Sequence, residues 1–499
     1  MTKSNQKPHA IIIPCPFQGH INPSIYLSLK LATKGFTITF INTESIHAQI
    51  TKSQTLDQNS TTTTKTHDIF GKFQEFGLDI HYQTVSDGFP LEFDRFSGSN
   101  NGEFWERLLI NCPIHVDEIV GKLVELENPK PTCLIVDTFF AWGTTIANKY
   151  QLVSISFFTQ PALVFTIDYH LHLLLKNGHF GSNDNRKDTI DYIPGISAID
   201  PSDLPSYFQT KETSTILHQT IYQAFEDAKK SEIIICNTIQ ELESKVISTF
   251  QEKTKKNFYA IGPIFHDQVI NSSKKVKISK SLWPESNCLE WLKNKPNSSV
   301  LYFSLGSLFN LSKEDFMELA QGLMLSKVDF IWVLRPNLTI IDETDNYLPS
   351  EFKENVDKGL IVSWCDQRDV LSHPAVGGFL THCGWNSILE SLWASVPMIC
   401  HPIGVDQQTN RKLVVDEWKV GINLCDNYYN NNNKSIITKE EVAKKINFLM
   451  SEENSEELRN VVKEVKKTME IALLANGSSE KNFDLFIEDV MAKTQITTS

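Results

Sequence analysis

The chain has 499 residues, a formal net charge of −13, 41% hydrophobic and 21% charged residues. That length exceeds one ordinary core and points to two domains, while the apolar and charged fractions are those of a soluble globular protein. The acidic balance argues against nucleic acid and anionic membrane surfaces as partners.

Residues 9–14 (HAIIIP) read as a buried strand, followed by the loop CPFQGHINP and a helix over residues 23–34, with Asn22 as its cap and Pro23 at the first helical position. His20 then lies in the loop at the C-terminal end of the first strand, the edge where open α/β sheets bind ligands. A lone histidine there is more often structural than catalytic, so position alone does not assign it. The runs FTITFIN (36–42) and DIHYQTV (79–85) follow as strands, with the polar, low-complexity tract 51–66 between them reading as a loop. CLIVD (133–137) is a continuous apolar strand ending in Asp137. A buried carboxylate requires a positive or hydrogen-bonding neighbour, so Asp137 either caps the following FFAWGTTIANKY or meets another side chain. SISFFT (154–159), EIIICNT (232–238) and FYAIGP (258–263) complete the strands of the first half.

Residues 265–284 contain NSSKKVKISKS, polar and basic, and read as a linker of solvated lysines. Strand-like runs then resume with SVLYFSL (299–305), whose end SLGS (304–307) allows close backbone approach, and continue with DFIWVL, GLIVSW, VGGFLT, PMICHP and GINL. A second polar tract, DNYYNNNNKS (426–435), reads as a loop, and a helical stretch begins at about residue 455. Repeated strand-helix alternation in both halves calls for parallel sheets covered on both faces. The segment 364–407 is the densest in chemistry. His382, Gly384, Asn386 and Ser387 fall on the turn into the helical run NSILESLWA, where unpaired N–H groups and the helix dipole suit a diphosphate; His382 and Ser387 add side-chain donors. Glu390 follows one turn later, placed to accept hydrogen bonds from vicinal ribose hydroxyls, and Trp364 offers a flat face for a base. An aromatic, phosphorylated, hydroxyl-rich ligand fits this set, and a nucleotide sugar is such a molecule.

With Trp364, Gln367, His373, Phe379, THCGWNS (381–387), Glu390, Pro397, Pro402, Asp406 and Gln407 in register, the segment resembles the signature box of the plant family 1 UDP-dependent glycosyltransferases. The resemblance runs from about residue 9 to about residue 490. It implies the α/β GT-B architecture, two Rossmann-like domains with parallel sheets facing across a cleft: an acceptor domain over 1–258, a linker over 259–296, a UDP-sugar domain over 297–470, and a final helix over 471–499 returning to the first domain. It also implies that Trp364 stacks on uracil, that Gln367 with the Cys365 backbone reads the edge of that base, and that Glu390 holds the ribose. Ser307, His382, Asn386 and Ser387 would hold the phosphates, while Trp385, Asp406 and Gln407, with Thr159 from the first domain, would hold the sugar hydroxyls. Gln407 stands where glucose users carry Gln and galactose users often His, so UDP-glucose is the expected co-substrate. PFQGHINP is similar to the segment carrying the catalytic base, which makes His20 the base and Asp137 the carboxylate that orients it and stabilises its protonated form. One displacement at the anomeric carbon then gives an inverted, β-linked glucoside. Three positions depart from the family pattern: Asp366 for Pro, Ser395 for Gly, and His401 for Trp. Asp366 neighbours the uracil platform and is expected to alter donor affinity.

Phe17, Trp105, Phe139, Phe140, Trp142, Phe158 and Phe208 lie on loops or strand ends assigned to the first domain and form the candidate wall for a planar, lipophilic acceptor such as a phenolic or flavonoid; each is equally compatible with ordinary core, and a terpenoid or hormone hydroxyl, or another UDP-sugar, stays open as the alternative. No metal or other cofactor is expected, since the chain has no Asp-x-Asp pair, and the nine cysteines, without a C-x-x-C pair, read as core thiols. MTKSNQKPHAIIIPCP has too short an apolar run for a signal peptide, and no run reaches the roughly 18 to 20 residues of a membrane span, so a cytoplasmic monomer is expected. A dinucleotide oxidoreductase would need G-x-G-x-x-G after a strand, which is absent, and a catalytically silent sensor would lack the base, whereas His20 and Asp137 are both present.

Overall fold

A computed structural model describes residues 7–55, 69–95, 101–182, 185–265, 281–307, 311–335, 358–425 and 437–497. Apolar runs of three to seven residues, too short for helices and rich in Ile, Val and Phe, form two all-parallel sheets. The first contains β1 (His9–Ile13), β2 (Thr37–Thr43), β3 (Ile80–Val85), β4 (Cys133–Asp137), β5 (Val153–Phe158), β6 (Ile233–Cys236) and β7 (Asn257–Ala260). Strands β1, β2, β4, β5 and β6 are buried at every position, the pattern of a sheet covered on both faces. Even His9 belongs to this core, its ring nitrogens meeting the Pro129 carbonyl and Thr39 Oγ1 at 2.8 Å each. The spatial order β3-β2-β1-β4-β5-β6-β7 reverses between β1 and β4, where Ile13 pairs with Val136. At such a reversal the connections leave towards opposite faces, and a crevice opens at the C-terminal edge.

The second sheet contains β8 (Val300–Ser304), β9 (Asp329–Val333), β10 (Gly359–Val362), β11 (Val376–Thr381), β12 (Met398–Cys400) and β13 (Gly421–Asn423). Its order, β10-β9-β8-β11-β12-β13, repeats the same logic, with the reversal between β8 and β11, where Ser304 pairs with Thr381. Its core is aromatic: the Trp332 ring lies 4.8 Å from Phe303 and 5.2 Å from Phe316, both stacked. The fold is GT-B, α/β with two parallel-sheet domains.

The chain divides into two compact units, Met1–Ile199 with Thr210–Leu282 and Ala472–Ser499, and Asp200–Gln209 with Trp283–Ile471. This departs from the sequence-based boundaries in two places. A cut after residue 258 would split β7, and the described part of the expected linker is structured: Trp283 packs on Trp364, and Cys288–Leu292 is helical. The segment Asp200–Gln209, read as first-domain sequence, belongs to the second unit because its polar groups bond to residues 405–411. The terminal helix Ser478–Thr497 belongs to the first unit, held by Ser479 Oγ donating to the Gly262 carbonyl (2.6 Å), Asn482 to the Ala260 carbonyl (2.9 Å) and a Lys30–Glu480 ion pair (2.6 Å). Of the tracts read as loops, residues 51–55 end the helix Glu44–Thr55, while 56–66, 426–435 and linker residues 266–280 lie outside the described residues. Among the described residues no helix is long and apolar enough to cross a membrane, and all nine cysteines are buried and free.

Candidate active site

The helix after β1 starts earlier than its Asn-Pro signal indicates. It spans Gln18–Thr33 with Phe17 as cap, so His20 sits in its first turn rather than in a loop. The Phe17 carbonyl accepts from both His20 N and Ile21 N at 2.9 Å, which closes the turn. Pro23 lies inside the helix and gives no N–H to the Gly19 carbonyl; one residue on, Ser24 Oγ donates to the His20 carbonyl at 2.8 Å. The turn projects the imidazole over the β1/β4 reversal. There His20 Nδ1 lies 2.7 Å from Asp137 Oδ2, and Asp137 Oδ1 accepts from Phe139 N at 3.0 Å. A carboxylate only accepts, so Nδ1 carries the proton and Nε2 keeps its lone pair, as a general base requires. The Asp137 side chain is 1% exposed and that of His20 15%, so the imidazole is partly open while its carboxylate partner is shielded from water. Thr159 Oγ1 sits 3.1 Å from the same Nδ1, which places its hydroxyl beside the imidazole.

The seven aromatic candidates separate into three groups. Phe139 meets the His20 ring edge-on at 5.6 Å, Phe17 lies 6.2 Å from it, and Trp105 stands 5.4 Å from Phe17; all three are partly exposed. They form an apolar rim beside the imidazole. Phe140, Trp142 and Phe158 are buried, the first two packed together at 4.7 Å and Phe158 among Phe165 and Phe225, so they are core. Phe208 is not a first-domain residue at all: it is buried in the short turn Ser206–Phe208 of the second unit.

In the second unit, the helix Trp385–Ala394 begins at Gly384 beside the β8/β11 reversal, with Asn386 and Ser387 in its first turn, whose N–H groups lack intrahelical partners. His382 is wedged there between two glycines: a Cβ on Gly306 or on Gly384 would lie 2.4 Å from its Nε2. Gly306 also has φ of +75°, a left-handed conformation natural only to glycine. Burial lowers the His382 pKa to about 4, with the Arg335 charge adding to the effect, so the ring is neutral at pH 7. It bonds to the Ser304 backbone, and among the described residues its Nδ1 has no partner. A neutral ring that spends its N–H on a carbonyl presents an acceptor at Nδ1. The helix N–H groups are therefore the donors an anion would meet first, with Ser307 on the β8 side.

Trp364 follows β10 and remains partly exposed, one face covered by Trp283 with ring centroids 4.6 Å apart. Gln367 commits both ends of its side chain within the protein: Nε2 donates to Ser387 Oγ (3.0 Å) and Glu390 Oε2 (2.7 Å), and Oε1 accepts from the Tyr302 hydroxyl (3.3 Å). It ties Glu390 to the start of the helix Trp385–Ala394. Cys365 is buried against the same Tyr302, Sγ to hydroxyl 3.6 Å. Asp366 caps the helix Gln367–Leu371 by accepting from Asp369 N at 3.2 Å, which gives this departure from the family pattern a local structural role. Trp385 is buried and lies 5.9 Å from Trp418. Asp406 and Gln407, both buried, start the helix Gln407–Lys412.

Sequence reasoning missed Trp283, Tyr302, Arg335 and the 200–209 segment. Arg335 had a usable signal, a charged residue just past the apolar strand β9, the same pattern that singled out Asp137. The others had none, since a stacked or docked partner distant in sequence leaves no local trace.

A carboxylate-bound imidazole at one strand reversal and a helix start at another are the features with which the comparisons can be set side by side. The family profile described as UDP-glucoronosyl and UDP-glucosyl transferase matches residues 216–463. UDP-glycosyltransferase 86A1 of Arabidopsis thaliana is 46% identical over 492 residues, 97% of this chain and 95% of the relative. The 7-deoxyloganetin glucosyltransferase of Catharanthus roseus is 34% identical over 505 residues, 98% of each chain. Among solved structures, Phytolacca americana UGT2 complexed with UDP-2fluoro-glucose and pterostilbene superimposes with a TM-score of 0.76 at 25% identity, covering 97% of this chain and 99% of that one. The chain belongs to the family of UDP-dependent glycosyltransferases and is a transferase.

Proposed function

We propose that the protein transfers glucose from UDP-glucose to a hydroxyl of a small lipophilic plant metabolite, a phenolic or flavonoid, with inversion to a β-O-glucoside and without a metal. The observation that carries this reading is the 2.7 Å contact of His20 with buried Asp137, rimmed by Phe17, Trp105 and Phe139. An imidazole poised by a carboxylate takes the acceptor proton at Nε2, and the aromatic rim suits a planar aglycone. As the acceptor oxygen bonds to the anomeric carbon, the bond to UDP breaks on the opposite face. General-base help of this kind contributes roughly 10² to 10⁴ in rate, and the remainder comes from positioning and from donors at the departing diphosphate.

Glucose as the sugar is supported by Gln407 and by the names of similar proteins, one a glucosyltransferase and one holding UDP-2fluoro-glucose beside pterostilbene. Incubating the chain with UDP-glucose and a phenolic panel should add one anhydrohexose to an acceptor by mass spectrometry, at a rate unchanged by EDTA. Exclusive use of another UDP-sugar, or acceptance of aliphatic alcohols with refusal of every phenol, would overturn the donor or the acceptor assignment respectively.

A further inference from the structure

The loop between β12 and the helix Gln407–Lys412 turns at Val405, whose φ is 51°. A β-branched residue in the left-handed region is an outlier that survives only where its surroundings over-determine it. Here one residue satisfies both polar groups of Val405: Ser206 N donates to the Val405 carbonyl at 2.8 Å, and Val405 N donates to Ser206 Oγ at 2.7 Å. Ser206 comes from the segment Asp200–Gln209, which is itself fixed to the second unit. Asp203 pairs with Arg411, and its carbonyl accepts from Thr409 Oγ1 at 2.7 Å. On the far side of the corner, Gln407 Oε1 accepts from Ile403 N (2.7 Å) and Gly404 N (3.0 Å). Asn410 Nδ2 donates to Asp406 Oδ2 (2.7 Å) and to the Cys383 carbonyl (3.0 Å).

We propose that Ser206 is a positioning residue for donor-sugar recognition, because it holds the Val405 corner from which Asp406 and Gln407 project. This rests on the reading that those two side chains meet the sugar hydroxyls. Hydroxyl recognition needs donors and acceptors held within a fraction of an ångström, whereas the bonds of Ser206 go to Val405 and Gln209 and not to any group assigned to uracil, ribose or diphosphate. Ser206 therefore acts on the sugar and not on the nucleotide.

Calorimetric affinities for UDP and for UDP-sugars test this without an acceptor. The UDP-sugar is whichever the native chain binds most tightly among the glucose, galactose, xylose and glucuronate forms. In Ser206→Ala, affinity for that UDP-sugar should fall about tenfold, equivalent to about 1.4 kcal/mol, while affinity for UDP stays within about twofold of the native chain. Adding Val405→Gly, which adopts the corner unaided, should restore the UDP-sugar affinity to within about threefold of native. Ser206→Cys, close in size but a weak acceptor, makes the same test if the alanine variant does not fold. Equal loss for UDP and UDP-sugar, no loss for either, or failure of Val405→Gly to rescue would overturn the proposal. A native chain that binds a UDP-sugar yet glucosylates no phenol would instead count against the proposed acceptor and leave the corner standing or falling on its own affinities.

Discussion

Asp137→Asn exchanges one carboxylate oxygen for an amide nitrogen and leaves the shape of the site unchanged. The orientation of the new amide is dictated by the structure: Oδ1 already accepts the Phe139 N–H at 3.0 Å, so the amide oxygen keeps that place and the NH₂ faces His20. A donor there can only meet an unprotonated Nδ1, so the ring proton moves to Nε2 and the base loses its lone pair. With the position 1% exposed, water cannot restore the original tautomer. The whole general-base contribution is then at stake, roughly 10² to 10⁴ in kcat, or about 3 to 5 kcal/mol. Initial rates of glucoside formation at saturating donor and acceptor measure it, and UDP affinity by calorimetry should stay within about twofold, because the groups assigned to UDP belong to the second unit. A variant that keeps kcat within about threefold of the native chain would refute the dyad as the source of the base.

Burial lowers His401 to about 4, so between that value and the ordinary histidine value of about 6.5 the folded protein binds fewer protons than the unfolded chain. The stability this neutral ring contributes is intact above about pH 6.5 and is lost as pH falls towards 4; between pH 7 and pH 5 the loss is about 2 kcal/mol. Urea unfolding at the two pH values should show a drop smaller by that amount in His401→Phe than in the native chain, where His382 adds its own loss, and equal drops would contradict it. Ser395 ends the helix Trp385–Ala394 at φ 58°, the left-handed position where glycine is favoured. Ser395→Gly should stabilise the second unit by about 1 kcal/mol, raising its thermal midpoint by about 2 to 4 °C, and a lowered midpoint would show that the serine side chain matters more than the backbone angle.

The alternation of apolar strands with helices, the helix start beside Gly384 and the strand-end carboxylate Asp137 were legible in the sequence, because each is a local pattern: burial on both faces, capping geometry, a charge closing an apolar run. Local signals also misled where they compete, as at Pro23, which reads as a helix start although the chain turns five residues sooner around the Phe17 carbonyl. Only the tertiary structure decided which aromatic residues rim His20 and which are core, since Phe139 and Phe140 are neighbours in sequence with opposite fates. It alone docked Asp200–Gln209 on the second unit, laid Trp283 over Trp364 and bound Gln367 to Glu390. These are pairings between segments up to about two hundred residues apart, as in Ser206 with Val405. Their partners are chosen by packing and by the need to satisfy buried polar groups, neither of which leaves a periodicity in the chain.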